Sequence, residues 1–287
     1  MASKRLLAVA IGAAAALTLL AGACSSDDGG DEAVAANAVA IGAADYEFTV
    51  NAADFVPGMN KLTLTNSGQE DHQVQFVKLA DGHTLEDLAA ALADPTAGFP
   101  EWISATGGVG VIPGGGTATV TQNLEAGSYA LLCFIEDAEG VPHFAKGMAT
   151  QIAIAGDENM AAAPEATIEF TAAEYAFTGP DTVKAGDVNI AFQNGASSAE
   201  WHEAGLLKLA DGFTLEMLQA ALTSTEPPPE GPPPFTSAGG LQAYVAGGGG
   251  VASVNLEAGN YALICFVPNP EGVPHAALGM LKGLTVE

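Results

Sequence analysis

The sequence predicts an all-β protein composed of two Greek-key β-sandwich domains, each with one short inserted helix. Short segments rich in β-forming residues recur between glycine and proline turns, which is typical of a sandwich. The chain also contains an internal repeat, since residues 124–148 match residues 256–280 at 17 of 25 positions. Both halves are therefore expected to share one fold.

The segments that lead to the repeated cysteines predict strands. Residues 129–135 follow a Glu-Ala-Gly turn and are rich in β-formers, so Cys133 is expected at or near the end of a strand. Residues 60–66, 118–124 and 151–155 alternate apolar and polar side chains, as strands with one buried face do.

One segment in each repeat predicts a helix instead. Thr84 can cap a helix over residues 84–92, with Asp87 three positions on and leucines along one face. Residues 79–92 match residues 209–222 at 11 of 14 positions, so a second helix is expected over 214–222.

The repeats and the N-terminal segment divide the chain into five predicted parts. Each repeat is long enough to bury a core of its own. The parts are a signal peptide (1–23), a flexible tether (24–38), domain 1 (39–155, hereafter repeat 1), a linker (156–165) and domain 2 (166–287, hereafter repeat 2).

The N-terminus is similar to a bacterial lipoprotein signal. Lys4 and Arg5 precede an apolar run that ends at Leu20, and small residues then lead to Cys24. This likeness implies that Cys24 carries a lipid and anchors an extracytoplasmic protein to the bacterial cell membrane, on the outer face or in the periplasm. A plain signal peptide or an uncleaved helix are the alternatives.

The chain is strongly acidic, with 34 acidic and 8 basic residues and a net charge of -26. Such a charge repels nucleic-acid phosphates, so a nucleic-acid role is not expected. A protein partner would carry a basic docking patch, although the charge could also serve solubility alone.

Each repeat carries a cysteine, a histidine and a methionine at one fixed spacing. In both copies nine residues separate the cysteine from the histidine, and four separate the histidine from the methionine. A thiolate, an imidazole and a thioether that are kept together suit copper. The residues are Cys133, His143 and Met148 in repeat 1, and Cys265, His275 and Met280 in repeat 2.

With these motifs each repeat resembles the cupredoxins, the blue-copper family. The family pattern has Gly-x-Tyr before the cysteine, as at residues 127–129 and 259–261, and a further histidine ligand on an earlier strand, to which His72 and His202 correspond. The resemblance implies one type 1 copper per domain. The implied ligands are His72, Cys133, His143 and Met148, and His202, Cys265, His275 and Met280.

Two details differ from simple blue-copper proteins. The long loop between cysteine and histidine is similar to that of the type 1 site of copper nitrite reductases. Gln73 and Glu203 stand where the family often has asparagine after the first histidine.

The resemblance implies one-electron transfer between protein partners and no enzymatic activity. Of the five histidines only His83 is left over, in front of a helix, and no His-x-His pair exists for a catalytic copper cluster. Copper storage or delivery and a metal-free extracellular binding module are the alternative functions. Cys133 and Cys265 are not expected to pair, because equivalent buried positions in two domains rarely face one another.

A proline-rich segment over residues 226–235 interrupts repeat 2. It is interpreted as a stiff surface loop, with a docking segment in polyproline conformation as the alternative.

Overall fold

Strands with alternating buried and exposed residues make up most of the protein. The computed structural model describes residues 34–94, 98–195, 197, 200–225 and 231–287. The predicted signal peptide, Cys24 and most of the tether lie outside the described residues, as do residues 226–230 of the proline-rich segment. No helix of the described residues is long and apolar enough to cross a membrane.

Repeat 1 contributes eight strands, and the first of them begins within the last residues of the predicted tether. They are β1 (Asn37–Ala44), β2 (Glu47–Thr49), β3 (Gly58–Asn66), β4 (His72–Leu79), β5 (Ile103–Ile112), β6 (Thr117–Leu124), β7 (Gly127–Leu132) and β8 (Ala149–Ile154).

Repeat 2 contributes nine strands in a closely similar order. They are β9 (Ile168–Ala173), β10 (Ala176–Thr178), β11 (Thr182–Val183), β12 (Gly186–Asn194), β13 (His202–Leu209), β14 (Phe235–Tyr244), β15 (Gly249–Leu256), β16 (Gly259–Ile264) and β17 (Leu281–Val286).

The two predicted helices are present as α1 (Leu85–Leu92) and α2 (Leu215–Thr223). The hydroxyl of Thr84 accepts from the amide of Asp87, whose carboxylate accepts in turn from the amide of Thr84, so α1 begins with a capping box. Thr214 caps α2 in the same manner through the amide of Met217. Both helices begin where their capping residues predict.

All strands belong to two sheets that face each other across a common apolar core. The first sheet has the order β10-β9-β12-β15-β6-β3-β1-β2, and the second has the order β11-β17-β16-β13-β14-β5-β4-β7-β8. Helix α1 covers the outer face of β4 and β7 through Leu88. Helix α2 covers the outer face of β13 and β16 through Leu218. Since both of its faces are covered, β4 is buried along nearly its whole length.

The prediction of an all-β protein with two β-sandwiches and one short helix in each is confirmed. The predicted strands at residues 60–66, 118–124 and 151–155 lie within β3, β6 and β8, apart from residue 155. Residues 39–155 and 166–287 remain predicted as the bounds of the two domains.

The sandwiches are joined edge to edge, which the sequence did not predict. β6 pairs antiparallel with β15 in one sheet, and β5 pairs antiparallel with β14 in the other, so that both sheets run continuously from one repeat into the other. Residues of the predicted linker also pack on repeat 1, where the Asn159 side chain accepts from the amide of Met59 at 3.2 Å.

Buried polar side chains hold this junction together. The Gln75 amide nitrogen donates to the carbonyls of Gly107 (2.9 Å) and Ala243 (3.0 Å), and its oxygen accepts from the amide of Ala243 (2.9 Å). The Tyr244 hydroxyl donates to the side chain of Gln122 at 2.8 Å. Because these groups are cut off from water, each depends on its partner across the junction.

Replacing Gln75 by leucine is expected to lower the free energy of unfolding by at least about 2 kcal/mol, because backbone groups of both repeats lose their buried partner. Chemical denaturation measures the difference. The matched change Gln193→Leu, at an exposed position of β12, should stay within about 0.5 kcal/mol. Equal effects of the two changes would show that the Gln75 contacts do not stabilise the junction.

Candidate metal centres

Strand pairing brings the first histidine of repeat 1 to the cysteine. His72 is the first residue of β4, and Cys133 directly follows the last residue of β7. These strands pair antiparallel, with Gln75 opposite Leu132, so the start of one strand lies beside the end of the other. β13 and β16 place His202 beside Cys265 in the same way.

Backbone hydrogen bonds fold the loop after Cys133 back onto the strand end. The amide of Phe144 donates to the carbonyl of Cys133 at 2.9 Å. Gly147 has a φ of 116°, in the left-handed region that favours glycine, and it turns the chain so that the amide of Met148 donates to the carbonyl of His143 at 2.9 Å. The loop therefore returns a histidine and a methionine to the cysteine.

The corresponding loop of repeat 2 has the same fold. The amide of Ala276 donates to the carbonyl of Cys265 at 2.8 Å, and that of Met280 donates to the carbonyl of His275 at 2.9 Å. Gly279, with a φ of 104°, makes the turn.

In repeat 1 three ligating atoms form a triangle at the end of the sandwich. Sγ of Cys133 lies 4.0 Å from Nδ1 of His72 and 3.6 Å from Nδ1 of His143, and the two nitrogens are 3.2 Å apart. All three side chains are fully buried. Met148 is also fully buried and belongs to the same core as Cys133.

The triangle of repeat 2 is nearly identical. Sγ of Cys265 lies 3.9 Å from Nδ1 of His202 and 3.5 Å from Nδ1 of His275, and the nitrogens are 3.0 Å apart. These residues and Met280 are fully buried. The structure thus brings both predicted histidine–cysteine–histidine sets together, each with its predicted methionine in the same core.

The spacing of these atoms fits a metal ion. An ion in the plane of two imidazole nitrogens at about 2.0 Å and one sulfur at about 2.3 Å would hold the ligand atoms about 3.5 to 3.8 Å apart. The observed edges span this range in both repeats, between 3.0 and 4.0 Å. Both groups can therefore hold one ion each.

A glutamate carboxylate lies close to the second histidine of each centre. Glu70 places one carboxylate oxygen 2.8 Å from Nε2 of His143, and its other oxygen accepts from the Tyr46 hydroxyl at 2.9 Å. In repeat 2, Glu200 lies 3.0 Å from Nε2 of His275. A proton held on Nε2 by a carboxylate leaves the Nδ1 lone pair to face the cysteine.

The environment of the first histidine differs between the repeats. A carboxylate oxygen of Asp45 lies 3.4 Å from Nε2 of His72. Nε2 of His202 is buried and has no hydrogen-bond partner among the described residues. The two centres therefore share their inner atoms but not all of their outer contacts.

In the absence of a cation, burial favours the neutral forms of both cysteines and of the first histidine of each centre. It raises the pKa of the Cys133 thiol to about 11 and also raises the pKa of Cys265. Burial lowers the pKa of His72, and it lowers that of His202 to about 4. A thiolate at either position needs a nearby positive charge, which a bound metal ion would supply.

The residue after the first histidine contacts the cysteine in both repeats. The backbone amide of Gln73 hydrogen-bonds the sulfur of Cys133, and that of Glu203 lies 3.5 Å from the sulfur of Cys265. The Glu203 carboxylate also accepts from the amide of Phe266 at 2.7 Å. Burial raises the pKa of Glu203 to about 7, so the departure from asparagine places a titratable group beside the second centre.

The carboxylates and tyrosines around the candidate metal ligands were not predicted from the sequence. Each glutamate stands two residues before the first histidine of its repeat, and a tyrosine follows the first strand of each repeat. The Glu-x-His spacing that both repeats share is the sequence signal that indicates the two glutamates. The residues are Asp45, Tyr46, Glu70, Tyr175 and Glu200.

The remaining histidine lies apart from both centres. His83 stacks on Trp102, with ring centroids 4.1 Å apart, and is half-buried, not exposed as its place before a helix suggests. Cys133 and Cys265 are both free and buried, which agrees with the expectation that they do not pair.

Comparisons with known proteins find likeness among solved structures. No family model and no curated protein matches the chain. Auracyanin B is 22% identical, with a TM-score of 0.30, over 44% of this chain and 93% of that one. Auracyanin from Roseiflexus castenholzii is 21% identical, with a TM-score of 0.30, over 42% and 99%. A Cu-containing nitrite reductase from Thermus scotoductus is 14% identical, with a TM-score of 0.25, over 88% and 62%. At these identities the likeness concerns the fold alone.

Replacing Glu203 by glutamine is expected to stabilise the metal-free protein in a pH-dependent manner. With a folded-state pKa of about 7, above the ordinary value of 4.5, this carboxyl favours the folded protein at low pH and loses that contribution as the pH rises through 7. The variant should gain on the order of 3 kcal/mol at pH 8 and almost nothing below pH 4.5, as measured by denaturation at each pH. The exposed change Glu271→Gln is the control. An equal gain at both pH values would contradict a buried, titrating Glu203.

Proposed function

We propose that this protein binds one copper ion at each of its two centres, as type 1 sites, and passes single electrons between protein partners. The duplicated triangle of two Nδ1 atoms and one Sγ atom supports the proposal most strongly. His72, Cys133 and His143 would hold one ion, with Met148 as the weak fourth ligand. His202, Cys265, His275 and Met280 would hold the other.

The donor set favours copper over zinc. Structural zinc prefers four strong donors in a tetrahedron, whereas these triangles offer three and a thioether, a soft donor that suits copper. When bound, copper supplies a one-electron couple between its monovalent and divalent states. The protein's contribution is to fix the ligands, since the backbone hydrogen bonds of Phe144 and Met148 hold the loop whichever state is present.

Full burial of the ligands suits electron transfer. Outer-sphere exchange of an electron needs no contact with a substrate, so a covered centre can serve it. All six histidine and cysteine ligands are 0% exposed, which also favours retention of the ion over its handover in storage or delivery.

The histidine count supports a non-catalytic role within this proposal. Four of the five histidines of the chain belong to the two centres, and His83 is stacked on Trp102. One chain therefore cannot supply three further histidines to a second type of copper site, as a nitrite reductase or a multicopper oxidase would need.

Location and partners complete the proposal. Acylation at Cys24 would tether the protein to the outer face of the cell membrane or within the periplasm, with the acidic residues that follow as a flexible spacer. The net charge of -26 would attract a redox partner through a basic docking patch.

Titration of the purified protein with copper tests the proposal. We expect two coppers per chain, an intense visible absorption band from sulfur-to-copper charge transfer and the paramagnetic resonance signal of a type 1 site. Cys133→Ser and Cys265→Ser should each remove one copper and about half of the band, since each centre has a single thiolate ligand.

His83→Ala is the matched control, because His83 lies outside both centres, and it should leave both coppers in place. Colourless protein that binds no copper tightly would exclude the proposed function and favour a metal-free binding module. Copper bound without the visible band, and unaffected by the cysteine changes, would show that other residues are the ligands.

A further inference from the structure

The two centres differ most in the contact behind their first histidine. In repeat 1 the same oxygen of Asp45 that lies 3.4 Å from Nε2 of His72 also accepts from the amide of Gln69 at 2.9 Å. Asp45 sits in the turn between β1 and β2, and these contacts fix its carboxylate over the imidazole.

A glycine makes room for this contact. A Cβ atom at Gly68 would lie 2.3 Å from the carboxylate oxygen of Asp45 and 3.0 Å from Nε2 of His72. Only a residue without a side chain lets the carboxylate and the ring approach each other here. The close packing of Gly68 against both groups restricts the movement of either one.

The described residues of repeat 2 lack this arrangement. Glu174 occupies the position of Asp45, with a left-handed φ of 46°, and its carboxylate makes no hydrogen bond to Nε2 of His202. The connection from Asn194 to His202 is also two residues longer than that from Asn66 to His72. Nε2 of His202 accordingly has no partner among the described residues.

We propose that Asp45 is a positioning residue that gives the centre of repeat 1 the higher copper affinity, so that the two centres fill in order. This inference rests on the proposed function, because it assumes that both centres bind copper. A carboxylate that holds the proton on Nε2 keeps the Nδ1 lone pair of His72 facing Cys133 before the ion arrives. His202 must select that tautomer and ring orientation as the ion binds, which reduces its affinity.

A further difference between the centres lies beside the second cysteine. Glu203 lies against the strand end that carries Cys265, where repeat 1 has the uncharged Gln73. The histidine and cysteine ligands of the two centres are otherwise equivalent in type and burial. A difference in affinity is therefore attributable to these outer residues.

Competition with a chromophoric chelator of monovalent copper measures each centre separately in the full chain. Cys265→Ser leaves only the centre of repeat 1, and Cys133→Ser leaves only that of repeat 2. We expect the first to bind copper at least about tenfold more tightly, and Asp45→Ala to lower its affinity by about 10- to 100-fold. Asp45→Asn, which keeps an oxygen for the amide of Gln69, should lower it in the same direction.

The tautomer of His72 provides a second measurement that needs no copper. Nitrogen-15 spectra of the metal-free protein should show the proton on Nε2 of His72, and Asp45→Ala should move it partly to Nδ1. Glu174→Gln is the matched control and should change neither centre.

Equal affinities of the two centres, together with less than a twofold effect of both Asp45 changes, would overturn the inference. Absence of copper binding in every variant would instead remove the proposed function, and the tautomer measurement would then still decide whether Asp45 positions His72.

Discussion

The burial of a histidine–cysteine–histidine triangle at one end of each sandwich is the constraint on which the rest of the site depends. Two imidazoles and a thiol that lie within 4.0 Å of one another and are shielded from solvent cannot carry like charges at low cost. The protein meets this constraint by favouring neutral forms, since burial raises the pKa of both thiols and lowers the pKa of His72 and His202. The same arrangement is ready for a cation, because three lone pairs converge and carboxylates stand behind the imidazoles.

The residues that contact the imidazoles from outside each triangle restrict the orientation of the histidine rings. Glu70 and Glu200 each lie between a tyrosine hydroxyl and the imidazole of the second histidine, but within the described part of the chain Nε2 is hydrogen-bonded only in repeat 1. The first histidines differ in their outer contacts, since Nε2 of His72 faces Asp45 and Nε2 of His202 has no hydrogen-bond partner among the described residues. The inner atoms of the two sites are therefore alike, while the described contacts behind their first histidines differ.

The junction connects the two sites physically. Gln75 lies three residues after His72 on β4, and its side chain bonds the backbone of Ala243, next to Tyr244. Tyr244 is in turn the strand partner of His202. A short path of covalent and hydrogen bonds thus joins a ligand strand of one centre to a ligand strand of the other, and rigid sheets on both sides keep it in place.

The sequence by itself determined the class of fold, the capped helices and the four candidate ligand residues of each site in order, because these depend on local patterns and on spacing that recurs in both repeats. Thr84 with Asp87 and the Cys–His–Met spacing each lie within a short stretch of chain. Only the tertiary structure decided the continuous sheets and the outer carboxylates. The pairing of β5 with β14 and the approach of Asp45 to His72 join residues far apart in the chain, and the direction in which such side chains point depends on turn geometry that residue types alone do not specify.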